Sequence, residues 1–203
     1  MARRKQSRTY THRRKYEFKP DPKSTNLLKV LHLTQQQRLH GLKWGLYSLL
    51  CLVLLIIQDV MMSQFRLAGA TTDLAVCGIL LIGILAGAEQ GGLFAMLAST
   101  VYFFSGSAPG PYVIALITLL TIAATLFRQA YWHRSFGSIM LCASLAMMLY
   151  EIGLFAIGIF MGRTLWVRIS VFLLTGFMSV LVMLALYPLA KVIGKIGGET
   201  WKE

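Results

Sequence analysis

The sequence predicts an all-α integral membrane protein, a bundle of six transmembrane helices, on three observations. Its 203 residues are 56% hydrophobic and only 14% charged, with a mean hydropathy of +0.63; a soluble domain sits near roughly 45–50% apolar and about 25% charged. The apolar residues fall into runs separated by short polar or Gly/Pro stretches, and a helical span needs roughly 17–25 residues. The charge is segregated. Residues 1–43 hold twelve Lys and Arg against Glu17 and Asp21, and the remaining 160 residues hold eight basic and six acidic ones. The overall charge of +12 and pI near 10 therefore describe a tail, which argues against a nucleic-acid-binding surface.

Residues 1–23 have no apolar periodicity, carry Pro20 and Pro22, and are too rich in Arg and Lys to bury anything. They read as a disordered, basic cytoplasmic tail that attracts anionic lipid. A cleaved leader is not expected, because the basic stretch is long and the apolar run that follows has full spanning length. In residues 24–40 a Ser24-Thr25-Asn26 cluster can cap a helix, and Leu27, Leu28, Leu31 and Leu39 recur at helical spacing. Either an amphipathic helix on the membrane surface or a solvated linker fits this stretch.

The membrane domain is expected over 41–190. Its first span is Gly41–Met62, with Trp44 and Tyr47 placed for the inner interface. The second and third, Asp73–Ala88 and Gly91–Phe104, are short and glycine-rich. The fourth, fifth and sixth follow at Tyr112–Phe127, Gly137–Met161 and Ile169–Leu189, and 191–203 form a short cytoplasmic tail. Connections are brief, Arg128–Phe136 among the longest, so there is no room for a second folded domain. A cytoplasmic N-terminus puts the basic tail, Arg128, Arg134, Lys191, Lys195 and Lys202 inside, and leaves Arg66, Arg163 and Arg168 outside. The bias places both termini in the cytoplasm of a multi-pass cell-membrane protein. A re-entrant pair formed by spans two and three would leave that orientation unchanged.

Few residues are candidates for chemistry. The chain contains no HExxH, no P-loop and no G-x-S-x-G; the stretch from Gly106 to Gly110 has Ala108 where serine is needed. Cys51, Cys77 and Cys142 lie in apolar runs without ligand spacing, so no catalytic, metal or cofactor site is expected. Glu151 breaks the local rules, because an ionised carboxylate near the middle of a span costs at least about 2.5 kcal/mol. A proton or ligand site, a polar contact to a partner helix, and a protonated glutamate hydrogen-bonded to a neighbouring span would each satisfy it. Asp59, Asp73 and Arg66 are expected to form an outer ion-pair cluster. Gly83, Gly87 and Gly91, spaced by four, are expected to let another helix approach closely. The Ser105–Pro111 stretch, SGSAPGP, suits a sharp outer turn.

Taken in order, the segments resemble the rod shape-determining protein MreD family of bacteria. Phe65-Arg66 through Thr72-Asp73-Leu74 is similar to the segment where a Pro-Asp-Leu opens that family's second span, and Glu89 through Gly92-Leu93-Phe94 to its glycine-bearing turn into span three. Pro109-Gly110-Pro111-Tyr112 stands where the family has a Leu-Gly before span four, and Phe127-Arg128 closes that span. Tyr150-Glu151 falls where members often carry a glutamate, and Tyr187-Pro188-Leu189 matches the aromatic-proline ending. The resemblance covers about residues 44–195. Thr72 replaces the usual proline, the acid often found late in span three is absent from 98–104, and the long basic tail is unusual.

The resemblance implies a six-span fold akin to the substrate-binding subunits of energy-coupling-factor transporters, without catalytic activity. It also implies a scaffold role in the cell-elongation complex, with MreC, the MreB filament and the peptidoglycan synthases as partners; a homodimer is compatible with it. The alternative is a substrate-binding membrane subunit of a vitamin or metal transporter, for which Gly41-xxx-Gly45 could be a docking face. Against that alternative, a solute cavity needs polar groups converging from several spans, and the apolar runs offer only Glu151 and a few Ser/Thr residues.

Overall fold

The computed structural model describes residues 35–62, 71–131 and 135–196. These form six α-helices and no strand: α1 (Gln35–Ile57), α2 (Leu74–Ala86), α3 (Ala88–Phe104), α4 (Tyr112–Tyr131), α5 (Phe136–Phe160) and α6 (Ile169–Gly194). A π-helical turn, Gln58–Met62, extends α1, and a 3₁₀ turn, Trp166–Arg168, leads into α6. Four stretches are long and apolar enough to cross a membrane: Arg38–Val60, Tyr112–Tyr131, Phe136–Phe160 and Trp166–Gly194.

α2 sets the architecture. It is apolar on every side (LAVCGILLIGILA), and all but Leu85 of its residues are buried. A helix without a polar face needs apolar neighbours all round, and α2 is packed by α1, α3, α4, α5 and α6. At 13 residues it is about 20 Å long, and the 17 residues of α3 make about 26 Å.

The surrounding helices are inverted amphipaths, with small and polar residues inside. α4 buries Val113, Ile117, Thr121, Thr125 and Arg128 along one stripe. Its threonines satisfy their hydroxyls one turn back, Thr121 Oγ1 donating to the Ile117 carbonyl at 2.8 Å and Thr125 Oγ1 to that of Thr121 at 2.6 Å. α5 turns Cys142, Ala143, Ala146 and Met147 inward, and α6 turns Gly176, Ser179 and Met183 inward. Leucines such as Leu52, Leu97, Leu119, Leu145 and Leu181 face outward, each about half exposed or more. An apolar surface of that extent suits lipid and not water.

Several helix ends differ from the sequence-based boundaries. α1 begins at Gln35, so residues 35–40 continue into the first span as one helix. Gln35, Gln36, Gln37 and Arg38 are good helix formers with no breaker among them. Residues 24–34 lie outside the described residues. α4 runs on to Tyr131 with Arg128 near its C-terminal end, where a cation suits the helix dipole, so the connection expected over Arg128–Phe136 is shorter. α6 continues through Pro188 to Gly194, as membrane helices allow when neighbours cover the freed carbonyl.

Candidate functional site

The N-terminus of α2 gathers polar side chains from several elements. Its first N–H groups lack helical partners, and two neighbouring elements supply acceptors. The π-helical turn after α1 aims Gln58 at this end: Gln58 Oε1 accepts from the Ala75 N–H at 2.8 Å, while its Nε2 donates to Asp73 Oδ1 at 3.4 Å. From α6, Ser179 Oγ accepts from the Asp73 N–H at 3.1 Å, and the Ser179 carbonyl accepts from Cys77 Sγ at 3.3 Å. Asp73 thus sits at the N-cap position, but its side chain makes no capping bond.

Glu151 reaches the same region from α5 and is 2% exposed. Its side chain packs on Gly176 of α6, where an added Cβ would lie 3.3 Å from Glu151 Cγ. Asp73 lies near Glu151, and Tyr102 of α3 and Tyr150 of α5 lie near both. Tyr102 donates to the Ser107 carbonyl at 3.4 Å. Glu151 Oε1 is buried and completes no hydrogen bond among the described residues, and the Tyr150 hydroxyl has only Tyr102 as a side-chain partner within reach. Buried polar atoms are nearly always paired, and each exception costs about 1–3 kcal/mol. A buried, unpaired carboxyl oxygen beside a second carboxyl makes this the candidate site.

Of the residues singled out by sequence, Asp73 and Glu151 come together and Asp59 stands apart. Asp59 is exposed and accepts from Ser107 Oγ at 2.6 Å, which ties the end of α1 to the turn between α3 and α4. Both aspartates are met here by neutral donors; Arg66, the third member of the expected ion-pair cluster, lies outside the described residues.

The glycines meet, though not along one helix. Gly87 breaks the chain between α2 and α3 with φ 101° and ψ 169°, a conformation essentially confined to glycine. Gly83 and Gly91 then face each other across this one-residue turn, so close that a Cβ on Gly91 would run into the Gly83 backbone, and a Cβ on Gly83 into Thr121. A strip spaced by four is what a continuous helix would present; here the same spacing brackets a reversal. Sequence reasoning missed Gln58, Tyr102, Tyr150 and Ser179. Tyr150 adjoins Glu151 and Gln58 adjoins Asp59 in the chain, which is the one signal that pointed to them.

The three cysteines are unpaired thiols. No protein-family model, no curated protein and no solved structure matches the chain.

Proposed function

We propose that this protein is a non-enzymatic membrane scaffold of the cell-elongation complex, an MreD-like subunit that links the MreB filament, MreC and the peptidoglycan synthases to maintain rod shape. The observation that carries this reading is α2. Val76, Cys77, Leu80, Leu81, Ile82 and Ile84, all at most 1% exposed, fill the middle of the bundle, where a vitamin- or metal-binding subunit would need a polar-lined cavity. A solid interior with an apolar exterior is suited to holding partners by its surface. What the transporter reading retains is the Asp73–Glu151 pair.

In this proposal the chain crosses the cell membrane six times with both termini in the cytoplasm. α2 and α3 form a hairpin, so they add either two crossings or none, and the four long helices already give an even number. Supporting six, the Gly87 turn reaches the level where α1 begins: Gln90 and Leu93 share a shallow cleft with His40 and Trp44. The test is complementation of a strain lacking its own MreD. The chain should restore rod shape and co-purify with MreC, and restored shape without MreC, or round cells at normal membrane levels, would sink the proposal.

A further inference from the structure

Asp73 and Glu151 meet on one face of α6. Ser179, which accepts from the Asp73 N–H at 3.1 Å, lies one turn from Gly176, on which the Glu151 side chain packs, and residues three apart on a helix share a face. The depths agree. From Ile169 to Ser179 α6 rises about 15 Å, and from Glu151 to Phe160 the neighbouring α5 rises about 14 Å. Both carboxyls therefore lie well inside the bundle, by about half the thickness of a hydrocarbon core of roughly 30 Å.

Their surroundings differ. Asp73 is partly exposed, stands at the N-terminus of α2 and accepts from Gln58 Nε2 at 3.4 Å; an amide donor and a helix N-terminus both favour a carboxylate. Glu151 is 2% exposed, and its Oε1 has no donor among the described residues. The titratable groups around the pair are Cys77 of α2, Tyr102 of α3 and Tyr150 of α5. The turn after α1 and α6 contribute neutral Gln58 and Ser179. On α4 the buried charge, Arg128, lies toward Cys142, about 14 Å along α5 from Glu151. A second ionised carboxyl here would be buried without a counter-charge, which is costly, and one proton removes that cost. Among the described residues no third carboxylate or histidine joins the pair, whereas a hard divalent cation takes roughly six oxygen ligands.

Polar groups run from the pair to the surface. Tyr102 has Gln58 and Tyr150 within reach and donates to the Ser107 carbonyl at 3.4 Å. Ser107 Oγ in turn meets Ser105 Oγ at 2.9 Å and Asp59 Oδ1 at 2.6 Å, and Ser105 and Asp59 are exposed. In the opposite direction α2 continues with Leu80, Leu81 and Ile82, all at most 1% exposed. We infer that Asp73 and Glu151 form a binding site for one exchangeable proton, carried by Glu151, donated toward the Asp73 carboxylate and replaced from the end of the bundle that holds the Ser105–Pro111 turn. The inference goes beyond the scaffold reading and stands without it, since it uses the interior of the bundle alone.

Infrared spectroscopy of the full chain, purified in detergent at pH 7 in potassium buffer, tests it. A carboxyl in water is ionised at pH 7, and the other described acids, Asp59 and Glu89, are exposed, so the carbonyl stretch of a protonated carboxyl reports the pair. The wild type should show that band, shifted down in D2O as the proton exchanges, and Glu151→Gln should lack it. Asp73→Asn should keep the band at a changed frequency, because a neutral amide replaces the carboxylate that accepts the proton; this variant decides should Glu151→Gln fail to fold. A missing band in the wild type, a band that survives in Glu151→Gln, one that ignores D2O, or one unmoved in Asp73→Asn overturns the site. Loss of the band when sodium replaces potassium at constant ionic strength overturns the proton in favour of a sodium ion, and a band indifferent to sodium supports the proton. Cell shape is no part of the readout, so failure of this site and failure of the elongation-complex reading are distinguishable.

Discussion

Glu151 occupies a position where a leucine would pack at lower cost. Its Cγ lies against Gly176 and its Oε1 is buried without a hydrogen bond among the described residues, so removing the carboxyl removes a penalty of about 1–3 kcal/mol. Glu151→Leu should therefore keep or raise thermal stability in detergent while losing shape rescue, and Glu151→Gln, which retains a donor and an acceptor, should keep rescue if the residue contacts a partner. Equal loss in both variants, at matched membrane levels, would mean that the titratable group itself is required and would count against a pure scaffold. A fully functional leucine variant would remove the special status of the residue. That Glu151 is out of place was legible from the residues on either side of it, MMLYEIGLFAIG. Its neighbours were not, because Asp73, Tyr102 and Ser179 approach through tertiary packing that no local pattern encodes. Gln58 is the clearest case: one polar residue at the end of an apolar run reads as the margin of a span, yet the π-helical turn makes it the cap of another helix. Gln58→Ala should cost about 0.5–2 kcal/mol as a lost cap, read as a fall in the thermal midpoint in detergent.

The α2–α3 hairpin shows which part of a helix pattern sequence can carry. Each of the six apolar runs is a helix here, because helix formers are a local property; α1 and α4 run past their expected ends on good helix formers, and α6 continues past Pro188 to Gly194. The reversal at Gly87 is different. Glycines at 83, 87 and 91 have the spacing of a smooth helical strip, and only the backbone at Gly87, φ 101° and ψ 169°, turns the strip back on itself. Two substitutions separate the roles. Gly87→Ala puts a side chain in a conformation that costs about 1–3 kcal/mol, while Gly91→Ala forces a methyl into the Gly83 backbone, an overpacking of about 1–3 kcal/mol or more. Both should lower thermal stability in detergent. Gly45→Ala, where nothing lies within 4 Å, should change little. Loss confined to Gly87 would mean that close packing at Gly91 contributes nothing.

For the whole chain, the lengths of α2 and α3 bear on how many times it crosses the bilayer. A hydrocarbon core is about 30 Å thick, and a helix of 13 residues covers about 20 Å of it. Read by length alone, α2 and α3 would be a re-entrant pair with the Gly87 turn inside the membrane. Two positions argue for full crossing: Gln90 lies beside His40 and Trp44 at the start of α1, and Leu85 lies in a cleft with Lys43, Lys191 and Lys195. In the six-crossing proposal those lysines and the Trp44 ring sit at the membrane surface, with the turn at the same level and buried α2 spared contact with lipid at its short ends. In a background with Cys51, Cys77 and Cys142 replaced by alanine, Gln90→Cys should react with a membrane-impermeant maleimide only after the cytoplasmic face is opened. Ser107→Cys should react from the outside in intact cells, and reporters at His12 and Lys202 should both read cytoplasmic. A Gln90→Cys that reacts from neither side would place the turn in the membrane core and reduce the crossings to four with the termini unchanged. A terminus reading external would overturn the even count on which both topologies rest.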